Sequence, residues 1–185
     1  EEVFEPTFEK WQPIDEIICY LKTLFHPDEH VGLVMSSFQD EDGKYKPRGA
    51  GNYTQTCKDL IERLKKYKRI DQALGSYDKA GGAWVRINPL DGNGGKNSNV
   101  TDYRYTLIES DDMVKEKQLA IIKALQLPVA ALVYSGGKSI HAIVRIDADT
   151  SREYKQRVER MYALCKKNGL NVDEQNKNPS RLSRL

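Results

Sequence analysis

Apolar positions recur at helical spacing over residues 13–25, where Ile14, Ile17, Ile18, Leu21 and Leu24 form one stripe. A short apolar run over 31–38 predicts a strand, and the charged, glycine-bearing stretch 40–51 a turn-rich connection. Thr54 is placed to N-cap a helix reaching about Arg69, with Leu60, Ile61 and Leu64 inward. Residues 83–88 read as a strand stopped by Pro89, and 91–99 as a polar, glycine-rich, mobile loop. The second half is more regular. It predicts a strand over 103–110, a helix from about Asp112 to Leu125, and strands over 129–134 and 139–146 around the Ser135-Gly136-Gly137-Lys138 turn. A helix over 151–168, closed by Gly169, and a short strand over 170–173 complete a β-α-β-β-α-β order. The chain therefore reads as α+β. A split β-α-β-β-α-β, RRM-like unit over about 101–185 packs with an N-terminal α/β lobe over about 1–100, the two forming a single core.

Alternation along the strand at 139–146 assigns its faces. Ile140, Ala142, Val144 and Ile146 point one way, toward helices; Ser139, His141, Ile143 and Arg145 point the other. That second face is expected to be open.

At 185 residues, 39% hydrophobic and 30% charged, the balance is that of an ordinary soluble domain, with no apolar run near the roughly 20 residues of a membrane span. No membrane partner is expected. The acidic start, Glu1-Glu2-Val3-Phe4-Glu5, is unlike a signal peptide. With no initiator methionine and an end directly after an arginine pair, the sequence reads as a fragment of a longer chain. Cys19, Cys57 and Cys165 form no CxxC pair, which argues against a disulfide framework or a zinc site and for a reducing, cytoplasmic setting. Net charge is only +2, but cations cluster at Arg63–Arg69 and Arg152–Lys167. These are solvated helix faces or a track for a phosphate backbone.

Chemistry concentrates in three places. The strand at 103–110 ends in Glu109-x-Asp111, and carboxylates at i and i+2 of an extended strand share a face roughly 7 Å apart. Together with Asp173 they supply the hard oxygen ligands that one or two Mg²⁺ or Mn²⁺ ions prefer. Lys138, Ser139, His141, Arg181 and Arg184 supply cations and hydrogen-bond donors for a triphosphate. The combination points to metal-dependent nucleotidyl transfer. Arg86, Asn88 and Arg104 are weaker candidates for contact with nucleotide or template. Gly137-Lys138-Ser139 imitates the end of a P-loop, but Leu132 stands where its leading glycine belongs and the following segment alternates as a strand. His26-Pro27-Asp28-Glu29-His30 lacks the HExxH order and reads as a helix-start loop.

In order and separation, Glu109-x-Asp111, Ser139-x-His141 and Val172-Asp173 resemble motifs I, II and III of the archaeo-eukaryotic primase (AEP) superfamily. The likeness is to the small primase-polymerases of bacteria, phages and plasmids, CRISPR-associated ones included. Arg181 and Arg184 resemble the triphosphate-binding arginines that follow motif III in that group. The resemblance implies the AEP prim-pol fold, a two-metal site of Mg²⁺ or Mn²⁺ at Glu109, Asp111 and Asp173, and nucleotide binding by Lys138, Ser139, His141, Arg181 and Arg184. It further implies a single-stranded DNA template and primer, NTPs or dNTPs as substrates, and further domains or replication or CRISPR partners. Two departures stand out. Motif I has Glu before Asp, and Gly137 occupies the place where some members carry the motif II lysine. The function implied is primer synthesis and extension. A primer-dependent gap-filling or lesion-tolerant polymerase and a non-catalytic RRM-like module for single-stranded nucleic acid are the alternatives. The strand Lys138-Ser139-Ile140-His141-Ala142-Ile143-Val144 lacks the surface aromatics of an RNA-binding RRM, which favours the enzyme. A rolling-circle nuclease would want a second histidine that His141 does not have.

Overall fold

The computed structural model describes residues 12–134, 136 and 140–185. Helix α1 (Pro13–Leu24) starts on a proline, carries Asp15 and Glu16 in its first turn and Lys22 in its last, and buries Ile17, Ile18, Leu21 and Leu24. The single strand expected over 31–38 divides in two. In β1 (Leu33–Val34), Leu33 exchanges both backbone hydrogen bonds with Asn52, each at 2.7 Å. The chain then turns away into β2 (Ser37–Gln39), which forms a hairpin with β3 (Tyr45–Pro47) where an irregular connection was expected.

Helix α2 (Cys57–Tyr67) is capped by Thr56 rather than Thr54. Thr56 and Asp59 form a reciprocal capping box, while the Thr54 hydroxyl donates to Asn52. The helix stops at Lys68, whose backbone is left-handed, and the short α3 (Ile70–Leu74) follows.

Strand β4 (Trp84–Arg86) lies between β1 and the last strand, β8 (Leu182–Arg184), and pairs antiparallel with both. The strand β8 thus belongs to the sheet of β1 and β4, far from it in sequence. The loop at 91–99, expected to be mobile, is anchored. The Asp91 carboxylate accepts from Asn93 N and Asn99 Nδ2, and residues 97–99 form a 3-10 turn whose Asn97 Oδ1 accepts from the Ser180 hydroxyl at 2.7 Å.

The second sheet contains β5 (Tyr103–Ile108), β6 (Val129–Tyr134) and β7 (Ile140–Ala148) in the order β5-β7-β6, with α4 (Lys115–Ala124) and α5 (Ser151–Lys167) crossing on one side. This is the split arrangement less its fourth strand. Residues 170–173 approach β5 but contribute one backbone bond, Asp173 N to Glu109 O at 3.1 Å. Side chains take the free edge of β5 instead. Asn88 donates to and accepts from the Tyr105 backbone as a strand would, and the Tyr154 and Tyr162 hydroxyls donate to the carbonyls of Tyr105 and Leu107.

Each face of this sheet is covered. Ala142, Val144 and Ile146 pack against Tyr154, Val158 and Tyr162 of α5, as the alternation predicts. The other face, expected to be open, packs Tyr105, Leu107 and Ile143 against α1 and α2. Among the described residues its polar groups sit at the two ends, Glu109 and His141 near the start of β7 and Arg145, over the Tyr105 ring, at the other. Arg104 ties β5 to the end of α1 and the turn after it: it pairs with Glu29 and Asp102 and donates to Leu24 O, and so has a structural role. Residues 26–29 form a turn before the His30 bridge, not a helical metal motif. Among the described residues no helix is long and apolar enough to cross a membrane.

All three thiols are free. Cys57 and Cys165 are buried, which pushes each thiol up to about 11, whereas Cys19 is exposed. In native protein at neutral pH, a colorimetric thiol reagent should therefore titrate one sulfur quickly and all three only after unfolding. Rapid reaction of three in native protein would contradict this core.

Candidate active site

Register brings the first two motifs together. Ile108 of β5 pairs with Ala142 of β7, so the next residue, Glu109, stands beside His141. Both residues are buried, at 8% exposure each, and Glu109 Oε2 lies 2.6 Å from His141 Nε2. A third element closes the group. Ser183, at the centre of β8 and fully buried, places its hydroxyl 3.0 Å from His141 Nδ1, and the Arg184 backbone N–H points at the same nitrogen from 3.4 Å.

Glu109 is electrostatically favoured as an anion. Burial alone would push its carboxyl up. The hydrogen-bonded His141 ring, with the Asn176 amide and the Arg181 guanidinium adding to it, outweighs burial and holds the carboxyl below its usual value. The Asn176 amide acts on the Glu109 carboxylate, yet neither its Nδ2 nor its Oδ1 completes a hydrogen bond among the described residues, and Arg181 Nε also lacks a partner there. Such atoms are uncommon in folded interiors, and a cluster of them around one carboxylate suits a polar ligand.

Arg181 and Arg184 flank Ser183. The Arg184 guanidinium stacks over Trp84 at 4.4 Å and donates to the Gly81 carbonyl; burial lowers its pKa against the opposing pull of Glu109. Gly81 itself lies against the β2–β3 hairpin, where a β-carbon would come within 2.8 Å of the Tyr45 ring. The segment leading to the arginines is clamped. Arg86 donates to Ser180 O at 2.6 Å, Asn88 to Pro179 O at 2.9 Å, and Asn97 accepts from Ser180. Gly95 lies so close to the Arg86 guanidinium that a β-carbon would come within 2.7 Å of it. Arg86, Asn88 and Arg104, candidates for nucleotide contact from sequence, thus serve to hold the site's framework.

Motif III is adjacent through its backbone. Asp173 is half-buried, donates its N–H to Glu109 O, and caps the 3-10 turn Glu174–Lys177 by accepting from Gln175 N. Asp111 lies beyond the end of β5 in an exposed turn, not on the strand as expected. Asp112, where the helix was expected to begin, accepts from Asn171 at 3.0 Å and holds the segment before motif III; α4 begins at Lys115 with no side-chain cap. Lys138 and Ser139 lie outside the described residues. In donor chemistry, the carboxylates of Glu109, Asp111 and Asp173 fit a hard divalent cation. Among the described residues, however, no three His, Cys, Asp or Glu side chains converge as a ligand set.

Sequence reasoning singled out Glu109 and His141, which the structure brings together, gave Asn88 a different role, and missed Ser183, Asn176 and Asn97. A serine between two arginines and asparagines in loops carry no local signal. Their roles arise from partners tens of residues away.

No family model and no curated protein matches the chain in sequence. In three dimensions it is similar to the AEP domain of the cyanophage S-2L primase-polymerase (PrimPol). The TM-score is 0.57 at 18% identity, covering 92% of this chain and 80% of that one. With an acidic strand end, a hairpin histidine and a closing arginine strand at the end of its split sheet, the chain has the fold of the archaeo-eukaryotic primase domain of the primase-polymerase type.

Proposed function

We propose that this chain is the catalytic core of a DNA-template-directed primase-polymerase that makes primers de novo on single-stranded DNA and extends them from NTPs or dNTPs. One observation carries the reading. Strands from both lobes bring Glu109, His141 and the Arg181–Arg184 segment to one end of the split sheet, in a fold shared with a primase-polymerase domain.

The carboxylates of Glu109, Asp111 and Asp173 would hold Mg²⁺ or Mn²⁺, which supplies polarisation of the α-phosphate and a more acidic attacking 3′-hydroxyl. His141 presents an N–H beside Glu109, where it can pass from the carboxylate to a triphosphate oxygen. Arg181, with Nε unpartnered among the described residues, is free to donate to phosphate, and its planar fork suits that geometry. Arg184, held against Trp84, contributes positive charge from a fixed position. Lys138 and Ser139 are assigned to the triphosphate by their motif alone.

The Glu109-His141-Ser183 chain has the connectivity of a hydrolytic triad. Ser183 is fully buried beneath His141, so no acyl substrate reaches its hydroxyl, and acyl transfer is excluded on access.

The test is incubation with unprimed single-stranded DNA, NTPs, dNTPs and Mn²⁺, beside a Glu109→Ala/Asp111→Ala control. Short labelled products that vanish in the control are expected. Extension of an annealed primer with no unprimed synthesis would replace this reading with a primer-dependent polymerase. Template binding without either activity would reduce the chain to a binding module.

A further inference from the structure

His141 is held from three sides, and the three neighbours differ in what they can offer. Glu109, an anion, can only accept a hydrogen bond. The Arg184 backbone N–H, 3.4 Å from Nδ1, can only donate one. The Ser183 hydroxyl, 3.0 Å from the same Nδ1, can do either. A neutral imidazole carries one proton. Placed on Nδ1, it would face the Arg184 N–H donor head-on and leave Nε2 as a lone pair 2.6 Å from a carboxylate oxygen. Placed on Nε2, it satisfies Glu109 and leaves Nδ1 to accept from both β8 groups.

We propose that Ser183, with the Arg184 backbone N–H, is a positioning device that fixes His141 as the Nε2–H tautomer and keeps that proton aimed at Glu109 and at the phosphate oxygens that compete with it. The consequence for turnover rests on the nucleotidyl-transfer reading; the tautomer itself does not. Ser183 is fully buried. With the Nε2 proton committed to Glu109 and the Arg184 N–H donating to Nδ1, the serine hydroxyl completes the set as a second donor to Nδ1. The β8 segment thereby joins two tasks. The arginine side chains at 181 and 184 carry charge, and Ser183 with the Arg184 N–H sets which ring nitrogen of His141 is a donor. Orientation of a functional imidazole by a hydrogen bond to its second nitrogen is a general device, and removing the orienting group commonly costs about 10- to 100-fold.

The experiment uses protein labelled with ¹⁵N-histidine, in mildly alkaline buffer, read by long-range ¹H–¹⁵N correlation. There are three histidines, and the His141 signals are those lost in His141→Gln. The wild type should show a pyrrole-type Nε2 and a pyridine-type Nδ1. A protonated Nδ1 in the wild type overturns the proposal without recourse to any variant. In Ser183→Ala the ring should become a tautomeric mixture, kcat should fall about tenfold and the nucleotide KM should stay within about threefold; Ser183→Thr should restore both the tautomer and kcat. An unchanged tautomer in folded Ser183→Ala removes Ser183 from the device. A correct wild-type tautomer in protein that neither shifts its His141 signals with nucleotide nor turns over refutes the polymerase reading and leaves the tautomer assignment standing.

Discussion

Glu109→Gln is expected to lower template-directed nucleotide incorporation by about a thousandfold or more while leaving the fold in place. Glutamine matches the shape of glutamate, so the packing around this buried position has little to adjust to. The anion, however, is lost. A neutral amide is a poor ligand for a hard divalent cation, and its NH₂ would face the His141 N–H that now donates to the carboxylate. Loss of one preorganised electrostatic group commonly costs about 10²–10³-fold, and loss of a metal ligand adds to that. Single-nucleotide extension under saturating Mn²⁺, read beside circular dichroism and thermal melting, measures both halves. A folded variant retaining more than about a tenth of wild-type activity would remove Glu109 from the catalytic role.

Asn88→Ala should produce a comparably large effect on stability. The Asn88 side chain is fully buried and makes four hydrogen bonds. Nδ2 donates to the carbonyls of Tyr105 at 2.8 Å and Pro179 at 2.9 Å; Oδ1 accepts from the N–H groups of Arg104 at 3.1 Å and Tyr105 at 2.8 Å. Truncation leaves the Arg104 and Tyr105 N–H groups and the Pro179 carbonyl without this partner, while the Tyr105 carbonyl keeps the Tyr154 hydroxyl. At about 1–3 kcal/mol for each stranded group, with some relaxation, the expected loss is about 3–5 kcal/mol. Asn88→Asp should be about as costly, because it turns a carboxylate oxygen toward two carbonyl oxygens. Urea unfolding provides the measurement, and a loss under about 1 kcal/mol would contradict the clamp. Activity should fall further than the folded fraction, since Pro179 and Ser180 lead directly into Arg181.

Local pattern carried much of this far. The stripe of α1, the apolar runs of β6 and β7, and the helical span of α5 all appear where local pattern places them, because each reports how a short segment faces away from water. Misses occurred where a distant partner decided. The run at 31–38 looks continuous, yet Leu33 is committed to Asn52 and β4, so β2 separates from it. Residues 170–173 look like a fourth strand, yet the β5 edge already belongs to Asn88, Tyr154 and Tyr162. Alternation identified which residues share the His141 face but not what covers it; α1 and α2 do.

The candidate site divides along the same line. Sequence by itself determined that acidic, histidine and arginine residues of the right chemistry follow one another on strand ends, and that the chain is α+β with a split sheet. Tertiary structure alone decided that Glu109, His141 and Ser183 touch, that Arg184 leans on Trp84, and that Asn88 locks β4, β5 and the loop before Arg181 together. Helical and strand periods encode burial over a few residues. Hydrogen-bond partners separated by 40 or more positions, as His141 and Ser183 are, are set by register and lobe packing that no local pattern contains.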